Sequence, residues 1–344
     1  MSIPAALERR RSYTGPAIFS YGFRPFFLGG AIWAALAILI WIPLHAGALR
    51  WPSSAIGPLE WHIHELLYGY VPAIVAGFLL TAIPNWTGRL PVCGAPLAVL
   101  FAIWIAGRLA MLATGRIGMP AAAVIDAAFL FVLLAAAARE IVAGKNWRNL
   151  RVLVIVCVLA LGNVLFHLEA IRTGGVQYGT RIGIAAILLL ISLIGGRIVP
   201  SFTHNWLVRE NPGRLPIPFG RYDVVTIAVS ALALAAWVVA PSAGWSGMAL
   251  IGAALLHAVR LLRWAGDRTL RDRLVLVPTF AALLDELAER QRQNRLWVTT
   301  IADLPKDCAN VLAWEAPGLM VSAAPAAPVI PLPERKTTKL AKQP

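Results

Sequence analysis

The sequence predicts an all-α protein, a polytopic transmembrane helix bundle of about eight spans with a short soluble or disordered C-terminal tail. Three observations predict it. Of 344 residues, 58% are apolar and only 14% charged, whereas a soluble domain carries about 25% charged residues to stay in water. Mean hydropathy is +0.69. The apolar residues come in long continuous runs, not in the alternating pattern of a barrel strand. These proportions exclude a cytosolic enzyme over most of the length. They equally exclude a disordered chain, which is poor in apolar residues and rich in charge.

A helix crossing about 30 Å of hydrocarbon needs roughly 20 residues. On that basis the spans fall near 28–45, 62–83, 95–113, 119–138, 152–171, 181–199, 223–240 and 246–263. A polar segment, 1–16, precedes them and carries Arg9, Arg10 and Arg11. No cleavable signal peptide is expected, because the first apolar stretch is too long for a signal h-region and no clean cleavage pattern follows it.

Charge orients the bundle. The net charge is +14, from 31 Lys+Arg against 17 Asp+Glu. Arg9–Arg11, Arg89, the groups Arg139 to Arg151 and Arg197 to Arg221, and the run Arg260 to Arg273 fall on one side of the predicted bundle. The other side receives Arg50, Arg116, Arg172 and Arg181. Lys and Arg are retained in the cytoplasm, so both termini are expected there. The excess charge then faces anionic lipid, and nucleic acid is not an expected partner. Cys93, Cys157 and Cys308 have no paired spacing, hence neither a disulfide framework nor a CxxC metal site.

The bundle is expected over 17–273. Beyond it LVLVPTFAALL (274–284) is too short to span. Residues 279–292 read as one amphipathic helix and LWVTTI (296–301) as a strand. Residues 274–316 therefore form an atypical, soluble-like segment, and 317–344, rich in Pro, Ala and Lys, a disordered tail. A fusion, a frameshift or a truncated gene would each produce such an ending.

Ionisable groups inside a bundle of lipid-facing helices each need a reason. WHIHE (61–65) places His62, His64 and Glu65 at the outer end of span two. Helical residues rotate by about 100°, so His62 and His64 diverge by roughly 200° and cannot reach one metal from the same face. His62 and Glu65 are expected to share a face, with the carboxylate orienting an imidazole. The alternative reading is that His and Trp sit at the membrane interface because their polar tips prefer it. Span five ends in NVLFHLEAI, which brings His167 and Glu169 to the same outer side. Arg108 on span three points there too. An imidazole as axial haem ligand and an arginine paired with a propionate would suit such a convergence; a hydrogen-bonded helix-end histidine and a snorkelling arginine are the alternative.

On the inner side, GFLLTAIPNWTGR (77–89) and GGRIVPSFTHNWL (195–207) share a design. In each, proline (Pro84, Pro200) is expected to stop an apolar helix, with Asn-Trp and an arginine close by. Asn85, Asn205, Arg89 and Arg197, with His204 nearby, could line an inner polar pocket; the alternative is two helix ends anchored by interfacial tryptophans. HAVRLLRW (257–264) places His257 and Arg260 on one face of span eight. His257 lies below the midplane, as a ligand or proton-relay candidate or as a neutral ring bonded to a neighbouring helix.

Taken together, FRPFF (23–27), WHIHE, GFLLTAIPNWTGR, GGRIVPSFTHNWL and HAVRLLRW resemble the NnrS family, in the family's order and across residues 20–273. The resemblance implies a bacterial inner-membrane protein of about twelve helices, associated with haem and copper and with the response to nitric oxide. It carries over His62, His64, His167 and His257 as haem or metal candidates; from the reading of the residues above, Arg108 and Arg197 are expected as cofactor-binding partners, and Glu65, Asn85, Arg89, His204 and Asn205 as supporting residues. The departure is the missing continuation: about four further spans, with more histidines and Gly-His-Thr-type segments, are replaced by a tail. Residues 274–310 resemble the last helix and strand of a polysaccharide-deacetylase-type domain without its metal-binding core. The expected function is thus haem or copper binding in nitric oxide metabolism or resistance to nitrosative stress. A transporter or channel with a polar intramembrane route is the rival reading, and an inactive remnant the third.

Overall fold

The computed structural model describes residues 13–49 and 56–269. The segments expected at 274–316 and 317–344, with Cys308, lie outside the described residues. The chain divides into two units, 1–284 and 285–344, and every described residue belongs to the first.

Eight helices among the described residues are long and apolar enough to cross a membrane. They are α1 (Phe23–His45), α2 (Pro58–Thr87), α3 (Ala95–Leu112), α4 (Met119–Ala143), α5 (Leu150–Thr173), α6 (Gln177–Glu210), α7 (Arg221–Val239) and α8 (Gly244–Leu262). A 3-10 turn, Trp147–Asn149, leads into α5. The chain is therefore an all-α, multi-pass membrane protein. Several helices begin where a proline suits the first turn, since its missing N–H has no intrahelical partner there: Pro58 opens α2, Pro96 α3 and Pro120 α4. Asp223 closes a capping box at the start of α7, its Oδ2 accepting from the Gly220 N–H at 2.9 Å.

The helices pack mainly against their neighbours in sequence: α1 on α2, α3 on α4, α4 on α5, α5 on α6, α6 on α7 and α7 on α8, with α2 also against α4. Two cores result. One contains Phe26, Trp33, Trp61, Tyr68, Trp104, Phe129 and Phe166. The other contains Leu79, Ile83, Ile141, Val156, Leu190 and Leu193. Large apolar side chains on the outside, such as Leu39, Val124, Ile191 and Leu232, are 62–73% exposed. A periphery of that kind is stable against lipid and a liability in water.

Two details decide how closely helices approach. At the α5–α6 crossing a Cβ on Gly179 would lie 2.5 Å from the backbone of Phe166, and one on Gly183 would lie 2.5 Å from the Tyr68 hydroxyl. Small residues four apart let two backbones meet in a way bulkier ones forbid. At the opposite end of the bundle, buried Arg260 of α8 ties three helices together. Its Nε donates to Asp223 Oδ1 of α7 at 2.7 Å, and its Nη1 to the carbonyl and hydroxyl of Ser192 on α6, each at 3.0 Å.

The structure corrects the expected helix ends at the prolines. Pro84 lies inside α2, which continues to Thr87, and Pro200 lies inside α6, which continues to Glu210. Proline costs one intrahelical bond and a steric clash, and packing of the flanking turns overrides that cost here: Leu80 and Ile83 are buried before Pro84, and Thr203, Trp206 and Leu207 after Pro200.

Candidate metal centre

The site is built by side chains from four helices at one depth. Along their helices His64 and Asp126 follow the starts of α2 and α4, while His167 and Arg108 precede the ends of α5 and α3. At 1.5 Å per residue each lies about 6–10 Å inside ends that share one side of the bundle.

Local backbone geometry aims the α2 residues. Glu65–Tyr70 is a π-helical turn, in which the Val71 N–H reaches back to the Leu66 carbonyl. Pro72, which has no N–H to give, follows at once. The wide turn leaves the Gly69 carbonyl free to accept from Trp104 Nε1 at 2.9 Å. A Cβ on Gly69 would lie 2.1 Å from Arg108 Nη1, so only glycine admits the guanidinium here. Such turns recur at functional sites because they re-aim side chains without ending the helix.

Asp126 is the hub. Its Oδ2 lies 2.9 Å from His167 Nε2 and 3.1 Å from His64 Nε2, and accepts from Asn163 Nδ2 at 2.8 Å. Its Oδ1 accepts from Arg108 Nη2. The other guanidinium arm, Nη1, donates to Glu65 Oε2 at 2.6 Å, which also accepts from Trp33 Nε1 at 2.7 Å. Glu65 Oε1 sits 3.0 Å from His64 Nδ1. All of these side chains are buried, and His64 and Glu65 are 0% exposed. Tyr68 and Phe166 close over His64, with ring centroids at 5.7 and 5.1 Å.

Two features of this arrangement call for a cation. With neutral imidazoles, two carboxylates face one guanidinium, a formal charge of −1 in a medium where unbalanced charge is expensive. His64 also has oxygen at both ring nitrogens: Glu65 at Nδ1, and Asp126 with Asn163 Oδ1 (3.2 Å) at Nε2. A neutral ring carries a single N–H. The second contact is met by an imidazolium or by a metal ion standing near the position of that proton. One ligand atom each from His64, Asp126 and His167 lies within 4.8 Å of the others. Two imidazoles and a carboxylate at that spacing could hold a metal ion, with Glu65 supporting one ring from behind.

Of the residues expected from sequence, His64, His167, Arg108 and Glu65 come together. His62 and Glu65 both face α1, and the imidazole that the carboxylate meets is that of His64. His62 stacks on Trp41 of α1, ring centroids 4.0 Å apart, and its Nδ1 is buried without a partner. His257 belongs to the α7–α8 pair, 3.0 Å from Ser230 Oγ. The expected inner pocket does not assemble. Arg89 pairs with Glu140 at 2.5 Å and Arg197 donates to Asn149 at 2.9 Å, whereas Asn85, His204 and Asn205 are exposed on helices that continue past their prolines. Glu169 caps α6, accepting from the N–H groups of Tyr178 and Gly179.

Asp126 and Asn163 carry much of the site without having been singled out in the sequence. A signal for Asp126 existed: it is the one charged residue between Arg116 and Arg139, in an otherwise apolar span.

The model of the family described as NnrS protein matches residues 17–284. No curated protein and no solved structure matches the chain.

Proposed function

Because the chain belongs to the NnrS family, we propose that it is a membrane metalloprotein of the nitric oxide response, with its metal ion held by His64, Asp126 and His167. The observation that carries this reading is the buried N, N, O ligand set within 4.8 Å. Imidazole suits copper, iron and zinc alike, and copper is the ion the family resemblance implies. Copper, held by these three residues, would supply a one-electron couple for chemistry with nitric oxide.

The residues around the three candidate ligands hold them in place. Arg108 forks between Glu65 and Asp126 and offsets their charge without occupying a ring nitrogen. Glu65 fixes the orientation of His64, and Asn163 fixes Asp126. Tyr68, Phe166 and Trp33 exclude water, so that each electrostatic interaction inside acts at low dielectric.

Haem does not fit this cluster. Both nitrogens of His64 are engaged, His167 lies against Asp126, and their rings are 4.9 Å apart, leaving no slot for a macrocycle between them. No role is derived for haem at these residues. This reading puts the protein in the bacterial inner membrane with its arginine-rich loops in the cytoplasm and the candidate metal centre toward the periplasmic rim, as retention of arginine on the cytoplasmic side supports.

Metal analysis of the protein purified in detergent tests the reading. About one ion per chain is expected, as for a single three-ligand site, and His64→Ala, Asp126→Asn and His167→Ala each lower the occupancy by about tenfold or more. Wild-type occupancy in all three variants, with the helical circular-dichroism signal retained, overturns it.

A further inference from the structure

Several arginines of the described residues are matched by carboxylates. Arg89, Arg108, Arg139, Arg214 and Arg260 form ion pairs with carboxylates. Arg148, Arg151 and Arg197 are in none of these pairs, although the hydrogen bond from Arg197 to Asn149 holds Arg197 beside the turn that carries Arg148 and Arg151. Like charges held together are repulsive, so either water and salt screen them or an anion sits among them.

The geometry favours an anion at a defined depth. Arg197 lies twenty positions after Gln177, where α6 begins, and about 30 Å along the axis at 1.5 Å per residue, one hydrocarbon thickness. Its guanidinium is held rather than swinging free. Nη1 donates to Asn149 Oδ1 at 2.9 Å, and the ring of Phe219 lies 5.3 Å from Cζ. Asn149 is buried; its Nδ2 donates to Asn146 Oδ1 at 3.1 Å, and Asn146 Nδ2 donates to the Trp86 carbonyl at 2.5 Å. This chain of amides pins the α4–α5 turn to the end of α2 and keeps Arg148 and Arg151 beside α6. Nε of Arg197 is buried with no acceptor, a donor left without the oxygen it needs. On the same turn the Trp147 indole is 60% exposed, as befits a side chain lying at the headgroup level.

We propose that Arg148, Arg151 and Arg197 form a seat for the phosphate of an anionic phospholipid in the leaflet facing the arginine-rich loops. The phosphate oxygens take the exposed guanidinium groups of Arg148 and Arg151 beside half-buried Arg197, and Trp147 lies against the glycerol and upper acyl chain. Phosphate is the shared chemistry of a lipid headgroup and a soluble anion. The bilayer-boundary depth and the exposed indole select the lipid.

Native mass spectrometry of the full chain, released from detergent in the presence of phosphatidylglycerol or phosphatidylcholine, tests the seat. Phosphatidylglycerol is expected to be retained preferentially, with affinity falling about fivefold for each arginine removed in Arg148→Gln and Arg151→Gln and in the double variant. Both side chains are exposed, so these variants keep the fold even if Arg197→Gln does not. Arg116→Gln, at the other side of the bundle, leaves retention unchanged. Equal retention of the two lipids, an equal loss in Arg116→Gln, or release of the bound lipid by millimolar inorganic phosphate overturns the proposal, the last in favour of a soluble anion.

Discussion

Arg108 shows what a buried charge is for in this bundle. It is 3% exposed and grips two carboxylates from two different helices. Replacing it with methionine keeps most of its volume but leaves Glu65 and Asp126 facing each other, and removing one partner of a buried pair costs about 3–5 kcal/mol. Arg108→Met should therefore unfold at clearly lower temperature than the wild type, measured by circular dichroism in detergent. An unchanged midpoint would mean that the carboxylates are neutralised by something other than Arg108. Much of this site was legible residue by residue: WHIHE, His167 and Arg108 stand out because ionisable groups are rare in apolar spans. Asp126 carries the same signal, a single carboxylate in an apolar span, but a lone aspartate does not name its partners in sequence. The choice between His62 and His64 was not legible, since helical angles alone place Glu65 beside His62, and the partners of His64 come from α4 and α5, remote in sequence.

At the scale of the helices, tight crossings and unusual turns do the positioning. Gly179 meets the backbone of Phe166, which cannot step aside as a flexible side chain would. Gly179→Ala is expected to push α5 and α6 apart at the cost of about 1–3 kcal/mol, the range for overpacked cores. The same shift would move the Gly179 carbonyl away from the Tyr68 hydroxyl, now 2.6 Å distant. A thermal midpoint equal to the wild type would show the crossing to be looser than described. The spans themselves could be read from hydropathy, because length and apolar content are local properties. The continuation of α2 and α6 through Pro84 and Pro200 could not. Proline's intrinsic cost is known from sequence, but the burial of the turns beyond it depends on what packs there.

For the whole molecule, the distribution of arginines and the burial pattern describe the same body from two directions. Apolar side chains face outward around the bundle, and basic residues gather at one set of helix ends. The proposed orientation has a direct check with single-cysteine variants in a background where Cys93, Cys157 and Cys308 are serine. Arg116→Cys should react with a membrane-impermeant maleimide in intact cells, and Arg148→Cys only after permeabilisation; the reverse pattern would invert the orientation and place the metal centre toward the cytoplasm.

The π-helical turn at Glu65–Tyr70 has a consequence for how this protein can change over generations. Such a turn amounts to one residue inserted into an ordinary helix, so losing a single codon between positions 65 and 70 would let the ladder close in regular fashion. Because the wide turn already absorbs that residue, the segments on either side would stay nearly in register, and the change would fall on the turn itself. His64 and the hydrophobic length of α2 would barely shift, while the open carbonyl that meets Trp104 Nε1 would return to the helix ladder. A variant of that kind would still insert, and sorting by membrane location alone would never distinguish it from its parent.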